Sequence, residues 1–200
     1  MKPKPLPFIL AATAMLIAGC LPSLHPFYTP KDLIQDGRLV GAFGEDKPES
    51  QPDETWTFSK TDEDFYQLEM SVPKKDEAGK INVVGQMEAR LFKVGNQTFL
   101  DLKPRHDLLE NDYSGWYQTS FIAGHVLFKV HKIDDKALTM SAPEYDWINK
   151  HLKKHPEALA HKQDDGRLIL TDSTANLQAF FLKHDGEIWA EPGKMVRLKK

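Results

Sequence analysis

His151 and His155, four residues apart with His161 close behind, are the residues whose spacing most directly suggests chemistry. On a helix that spacing puts two imidazoles on one face, enough to begin a zinc site. The neighbours argue against it. No glutamate completes an HExxH arrangement, and Lys150, Lys153 and Lys154 surround the pair with positive charge. A solvated helix face explains the spacing, and no metal is expected. Carboxylates gather at Asp62-Glu63-Asp64, at Asp134-Asp135 and through 107–112. None of these runs has the alternating oxygen ligands and the glycine of a calcium loop, so turn residues explain them. No serine lies in a Gly-x-Ser-x-Gly turn. Ser114 and Ser120 are near His125 in sequence, but proximity along the chain does not make a triad. His125 and His131 are expected to project from a strand, one on each side or both to solvent. The chain thus offers no catalytic constellation and implies no cofactor.

The thiol is a different case. Cys20 is the only cysteine in 200 residues. Lys2 and Lys4 precede an apolar run over 8–17, and small residues follow at Ala18-Gly19, as in a secretory signal peptide. Residues 8–19 are too few to span roughly 30 Å of hydrocarbon as a helix, and Pro3, Pro5 and Pro7 oppose a long straight one. Ile17-Ala18-Gly19-Cys20 resembles the lipobox of bacterial lipoproteins. The resemblance implies cleavage between Gly19 and Cys20, a diacylglyceryl group on the thiol, and acylation of the new amino terminus. Each buried methylene contributes about 0.8 kcal/mol, so two or three chains anchor stably where one does not. The residue after the cysteine is Leu21 and not the aspartate of inner-membrane retention. The expected address is therefore the outer membrane, facing the periplasm, if the cell has two membranes. With the thiol lipidated, no disulfide or cysteine-bound metal is available to the folded domain.

The chain carries 26 Lys and Arg against 29 Asp and Glu, a net −3 that becomes −5 when Lys2 and Lys4 leave with the signal. That mildly acidic, mixed balance excludes a nucleic-acid partner, which needs a basic patch.

Residues 20–37 are too apolar for a free tether: Leu24, Phe27, Tyr28, Leu33 and Ile34 alternate with Pro22, Pro26 and Pro30. They read as a strap lying on the domain, with Thr29 capping a short turn that opens at Pro30. Residues 38–200 read as one domain. A period of two marks strands at 38–43, 54–59, 65–72, 83–94, 98–102, 116–122, 125–133 and 137–140. Gly95-Asn96 and Asp165-Gly166 are turn signals. The period then lengthens. Ser141-x-x-Glu144 is a capping-box pattern that predicts a helix near 143–155. Asp172 or Ser173 can cap another near 173–184, which would bury Leu177, Phe180 and Phe181. A last short strand falls at 195–198. The fold class is β-rich α+β: an antiparallel meander curled into a barrel or half-barrel, with two short carboxyl-terminal helices.

The segment 23–32, Ser-Leu-His-Pro-Phe-Tyr-Thr-Pro-Lys-Asp, resembles the opening of a family of uncharacterised bacterial lipoproteins, in which a lipobox cysteine is closely followed by an SLHPFYTP-type stretch. The Trp56-Thr57-Phe58 strand, the strand at 99–102 and the Ala-Leu-Ala-His stretch at 158–161 extend that resemblance over most of the mature chain. The family carries no assigned activity, so the resemblance implies an address and not a reaction. Gly41-Ala42-Phe43 is also similar to the first strand of lipocalins, without their tryptophan. Strand aromatics are expected to pack a core. If the barrel closes, Trp56, Phe58, Tyr66, Trp116, Phe121 and Phe128 could line an apolar cavity. The expected function is a membrane-anchored, non-enzymatic envelope accessory protein acting through a protein partner. The alternative is a lipocalin-like carrier of a lipid or other small apolar ligand. A hydrolase stands third.

Overall fold

A computed structural model describes residues 21–45, 54–75, 81–105 and 122–199. The signal peptide, Gly19, Cys20, Trp116 and Phe121 lie outside the described residues, as do Ser114, Ser120 and most of the strand expected at 116–122.

The strap contributes a short strand, β1 (Pro22–Ser23). The meander follows as β2 (Gly41–Gly44), β3 (Thr55–Lys60), β4 (Tyr66–Lys75), β5 (Ile81–Val94), β6 (Gln97–Pro104), β7 (His125–Ile133) and β8 (Ala137–Ser141). Each is antiparallel to the one before it. An insert then intervenes: helix α1 (Tyr145–Lys154), the hairpin β9 (His161–Asp164) and β10 (Arg167–Leu170), and helix α2 (Thr174–Lys183). The last strand, β11 (Gly193–Arg197), pairs with β8 on one side and β2 on the other. Eight strands, β2 to β8 and β11, therefore close into a barrel. Closure pairs each strand of the ring on both sides, and the start of β7, beyond the end of β8, is covered by β1.

Two apolar clusters follow from the alternation. Inside the barrel lie Phe43, Trp56, Phe58, Tyr66, Leu68, Ala89, Leu91, Leu100, Leu102, Phe128, Val130 and Leu138. The intervening residues Phe92, Phe99 and Leu127 point outward. They form a second cluster with Leu21 and Phe27 of the strap, Ile148 and Leu152 of α1, Leu168 and Leu170 of β10, and Leu177, Phe180 and Phe181 of α2. The helices thus cover one wall of the barrel and not its mouth. A bulge in β7 between Val130 and Lys132 lets Val130 and Ile133 both face inward.

Three boundaries differ from the sequence expectation. Arg38 and Leu39 do not belong to the first strand; they sit in a 3-10 turn, Gly37–Leu39, because the Asp36 carboxylate accepts the Arg38 N–H. The first helix begins at Tyr145 with Glu144 as its cap and has no capping box. The Ser141 hydroxyl is engaged elsewhere, 2.9 Å from Nε2 of His131. Residues 161–164 form a strand that polar His161-Lys162-Gln163-Asp164 did not signal. Its turn, Asp165-Gly166, has positive φ at both residues, the two-residue hairpin geometry.

The two ends of the barrel differ. At one, the connections are short: 61–65, Gly95-Asn96 and 134–136. At the other, 45–54, 105–124 and the 142–192 insert are longer, and only 76–80 matches 61–65 in length.

Candidate functional site

The short-loop end is plugged. Leu39 of the 3-10 turn is fully buried among the interior side chains. The Tyr66 hydroxyl accepts the Asp36 N–H at 2.7 Å and donates to the Asp36 carbonyl at 3.1 Å. Arg197 completes the closure. Its guanidinium lies 4.5 Å from the centre of the Phe43 ring. Nε donates to the Asp135 carbonyl at 3.0 Å, Nη1 to the Val40 carbonyl at 2.7 Å, and Nη2 to the Arg38 carbonyl. Gly41 permits this approach: its φ is +137°, and a Cβ there would lie 2.2 Å from Nη1 of Arg197. The Gly41-Ala42-Phe43 motif was legible in the sequence. Arg197, more than 150 residues away, was not.

Towards the long-loop end the interior is apolar. Trp56 lies edge-on to Phe128, with ring centres 5.8 Å apart, and tilted against Phe58 at 6.3 Å. Four of the six residues expected to line a cavity, Trp56, Phe58, Tyr66 and Phe128, therefore share the barrel interior. Beyond them Met70, Met87 and Val126 pack on the cluster but stay partly exposed. Gly85 faces Met70, and a Cβ there would lie 2.7 Å from its terminal methyl. The Trp56 indole N–H donates to the Glu54 carboxylate at 2.8 Å, a polar group at the rim. Thioethers and aromatic faces, with one carboxylate at the edge, are the chemistry of a site for an apolar molecule with a polar end.

The ion-paired and clustered histidines, carboxylates and Arg90 lie outside the barrel. His125 and Asp101 do not face solvent: they are 7% and 2% exposed, with Nδ1 2.7 Å from Oδ1. The other Asp101 oxygen accepts the Phe27 N–H at 3.0 Å. This corrects the expectation for His125. It points outward, as its place in the strand requires, but the strap covers it, with the Tyr28 ring centre 6.5 Å away. An imidazole and a carboxylate buried together under backbone act as a fastening. Arg90, also on this wall, pairs with Glu88 and lies 5.7 Å from the Tyr28 ring centre and 5.0 Å from that of Phe65. Burial raises the Tyr28 pKa, against the pull of Arg90. Asp62, Glu63 and Asp64 line one side of an open cleft of about 550 Å³ whose other side is Tyr28, Pro30, Leu33 and Arg90.

His155 is exposed, as a solvated helix face requires, but His151 is half-buried. His151 stacks on Trp147 at 4.8 Å and contacts His155 at 5.0 Å and His184 of the second helix's end at 4.7 Å. Phe180 closes the group from below, 5.8 Å from His151. Sequence spacing shows the first two histidines; the third arrives through the packing of α2 on α1. Among the described residues no group of three or more His, Cys, Asp or Glu is placed to hold a metal ion. No protein-family model, curated protein or solved structure matches the chain.

Proposed function

We propose that the protein is a lipid-anchored envelope protein, held through Cys20, whose barrel binds a small apolar molecule such as a lipid through its long-loop end. The observation that carries this reading is the asymmetry of the barrel. One end is filled by Leu39, Tyr66 and the Arg197 clamp, beside an open cleft of about 380 Å³ at Ile34, Asp36 and Ile133; the other is lined by partly exposed Met70, Met87 and Val126 and bears the longest connections. A protein acting only through surface contacts does not need that difference between the ends. This favours the carrier over the accessory protein, and binding over catalysis. The compartment that goes with it is the periplasmic face of the outer membrane in a cell with two membranes.

The test is native mass spectrometry of protein extracted in mild detergent, with fluorescence titration of a polyene fatty acid. The expected result is a bound lipid-sized mass and a saturable signal, both lost in Met70→Glu while the melting temperature is kept. Absence of both from the unaltered protein sinks the binding reading.

A further inference from the structure

The strap packs the residue next to the proposed attachment point against one corner of the barrel. Leu21 is 1% exposed and belongs to the outer apolar cluster. The residue that follows Cys20 in the sequence is therefore packed on the body, with no free tether after the cysteine. β1 pairs with the first two residues of β7, Pro22 with Val126 and Ser23 with His125. That is the long-loop end of β7. The edge is free to receive β1 because β8 ends at Ser141, opposite Lys129. Residues 122–124 run alongside: a Cβ on Gly124 would lie 3.3 Å from Cβ of Pro22. The same corner exposes apolar side chains. Ile122 is 71% exposed and Leu24 is 41% exposed. Val126, the partner of Pro22, packs on the barrel interior.

We infer that this corner, comprising Pro22, Leu24 and Ile122 at the long-loop end, rests on the lipid bilayer, so that the barrel's binding end opens towards the membrane. The inference rests on the lipid anchor proposed above and extends it to an orientation. Apolar side chains beside the anchor enter the interface with the acyl chains and add their own burial to the attachment. The orientation has a chemical consequence. A lipid can pass between the bilayer and the Met70–Met87 end of the barrel without a path through water.

The experiment uses the full, processed protein in vesicles of phosphatidylethanolamine and phosphatidylglycerol with a brominated fraction. Single cysteines for an environment-sensitive dye are placed by Leu24→Cys, Ile122→Cys and, at the sealed end, Val40→Cys, which is 36% exposed and adjoins the Arg197 clamp. Intact mass reports acylation of Cys20 in each sample. The expected result is a blue shift and a several-fold greater quenching at 24 and 122 than at 40. Acylated protein with equal quenching at all three sites, or none at 24 and 122, overturns the orientation and leaves the anchor standing. A chain without acyl mass on Cys20 overturns the anchor and this inference with it.

Discussion

At the scale of single residues, the histidines at the helix ends make the most direct prediction. Burial lowers the His151 pKa, and His184, His155 and Lys183 add to the effect while Glu187 opposes it. Burial also lowers that of His184, with Lys183 adding and Glu187 opposing. In both, the folded value falls below the unfolded 6.5. Between the two values the unfolded chain binds more protons than the folded one, so stability falls as pH drops through that window and is fully present above it. The melting temperature should therefore hold above about pH 7 and decline as the pH falls below the unfolded value of 6.5. His151→Phe keeps a ring on Trp147 but takes no proton, so its decline should be shallower. Identical declines in the two proteins would show that the cluster does not contribute. The buried Asp101–His125 pair sits elsewhere, under the strap, where its bond to the Phe27 N–H makes it part of the packing.

At the scale of elements, the strap fastens the barrel to its insert. The Phe27 ring is 2% exposed and meets Phe181 edge-on at 5.5 Å. Gln178 of α2 donates to the Phe27 carbonyl at 2.9 Å and to Asp32 at 3.0 Å, and Thr174 donates to the Pro26 carbonyl at 2.7 Å. Asp32 returns to Thr29, accepting its N–H at 2.8 Å, which closes the turn opened by Pro30. Removing Phe27 strips a large side chain from the second apolar cluster. Phe27→Ala should cost about 3–5 kcal/mol in urea unfolding. A cost near zero would mean the strap merely rests on the surface. The apolar residues of the strap made its packing legible in sequence, and clear alternation did the same for β4 and β5. Other elements had no such signal. β1 is two residues long and β9 is entirely polar, so neither carries a period. The start of α1 differs from the spacing because Ser141, whose distance to Glu144 suggests a cap, belongs to β8 and has its hydroxyl 2.9 Å from Nε2 of His131. At the candidate site the inward placement of Trp56, Phe58, Tyr66 and Phe128 followed from alternation. The Arg197 clamp and the Asp101–His125 pair did not, because pairings between distant strands leave no trace in local spacing.

At the scale of the whole molecule, closure of the barrel depends on a short seam. β5 and β6 are aligned over eight residue pairs, whereas β11 and β2 share two, Val196 with Gly44 and Arg197 with Phe43. The backbone adds the Leu198 N–H to the Ala42 carbonyl at 2.9 Å across this seam, while the Arg197 N–H reaches the Lys136 carbonyl of the β7–β8 turn at 2.7 Å on the other side. The Arg197 side chain then bridges the seam, reaching carbonyls before β2 and in the β7–β8 turn at the same time. A lysine, with a single point charge, lacks the planar fork that meets several carbonyls together. Arg197→Ala should therefore destabilise the protein by about 2 kcal/mol, and Arg197→Lys should recover little of it. The loss should be local. Hydrogen exchange should quicken at Leu198 and along the β2–β11 seam, while amides between β5 and β6 keep their protection, because stability varies across a structure with local contact and burial. Uniform loss across both regions would mean that the barrel opens as one unit and the seam has no separate role. A local loss would identify the last strand, added after a helical insert of some fifty residues, as the piece that turns an open meander into a vessel with one sealed end.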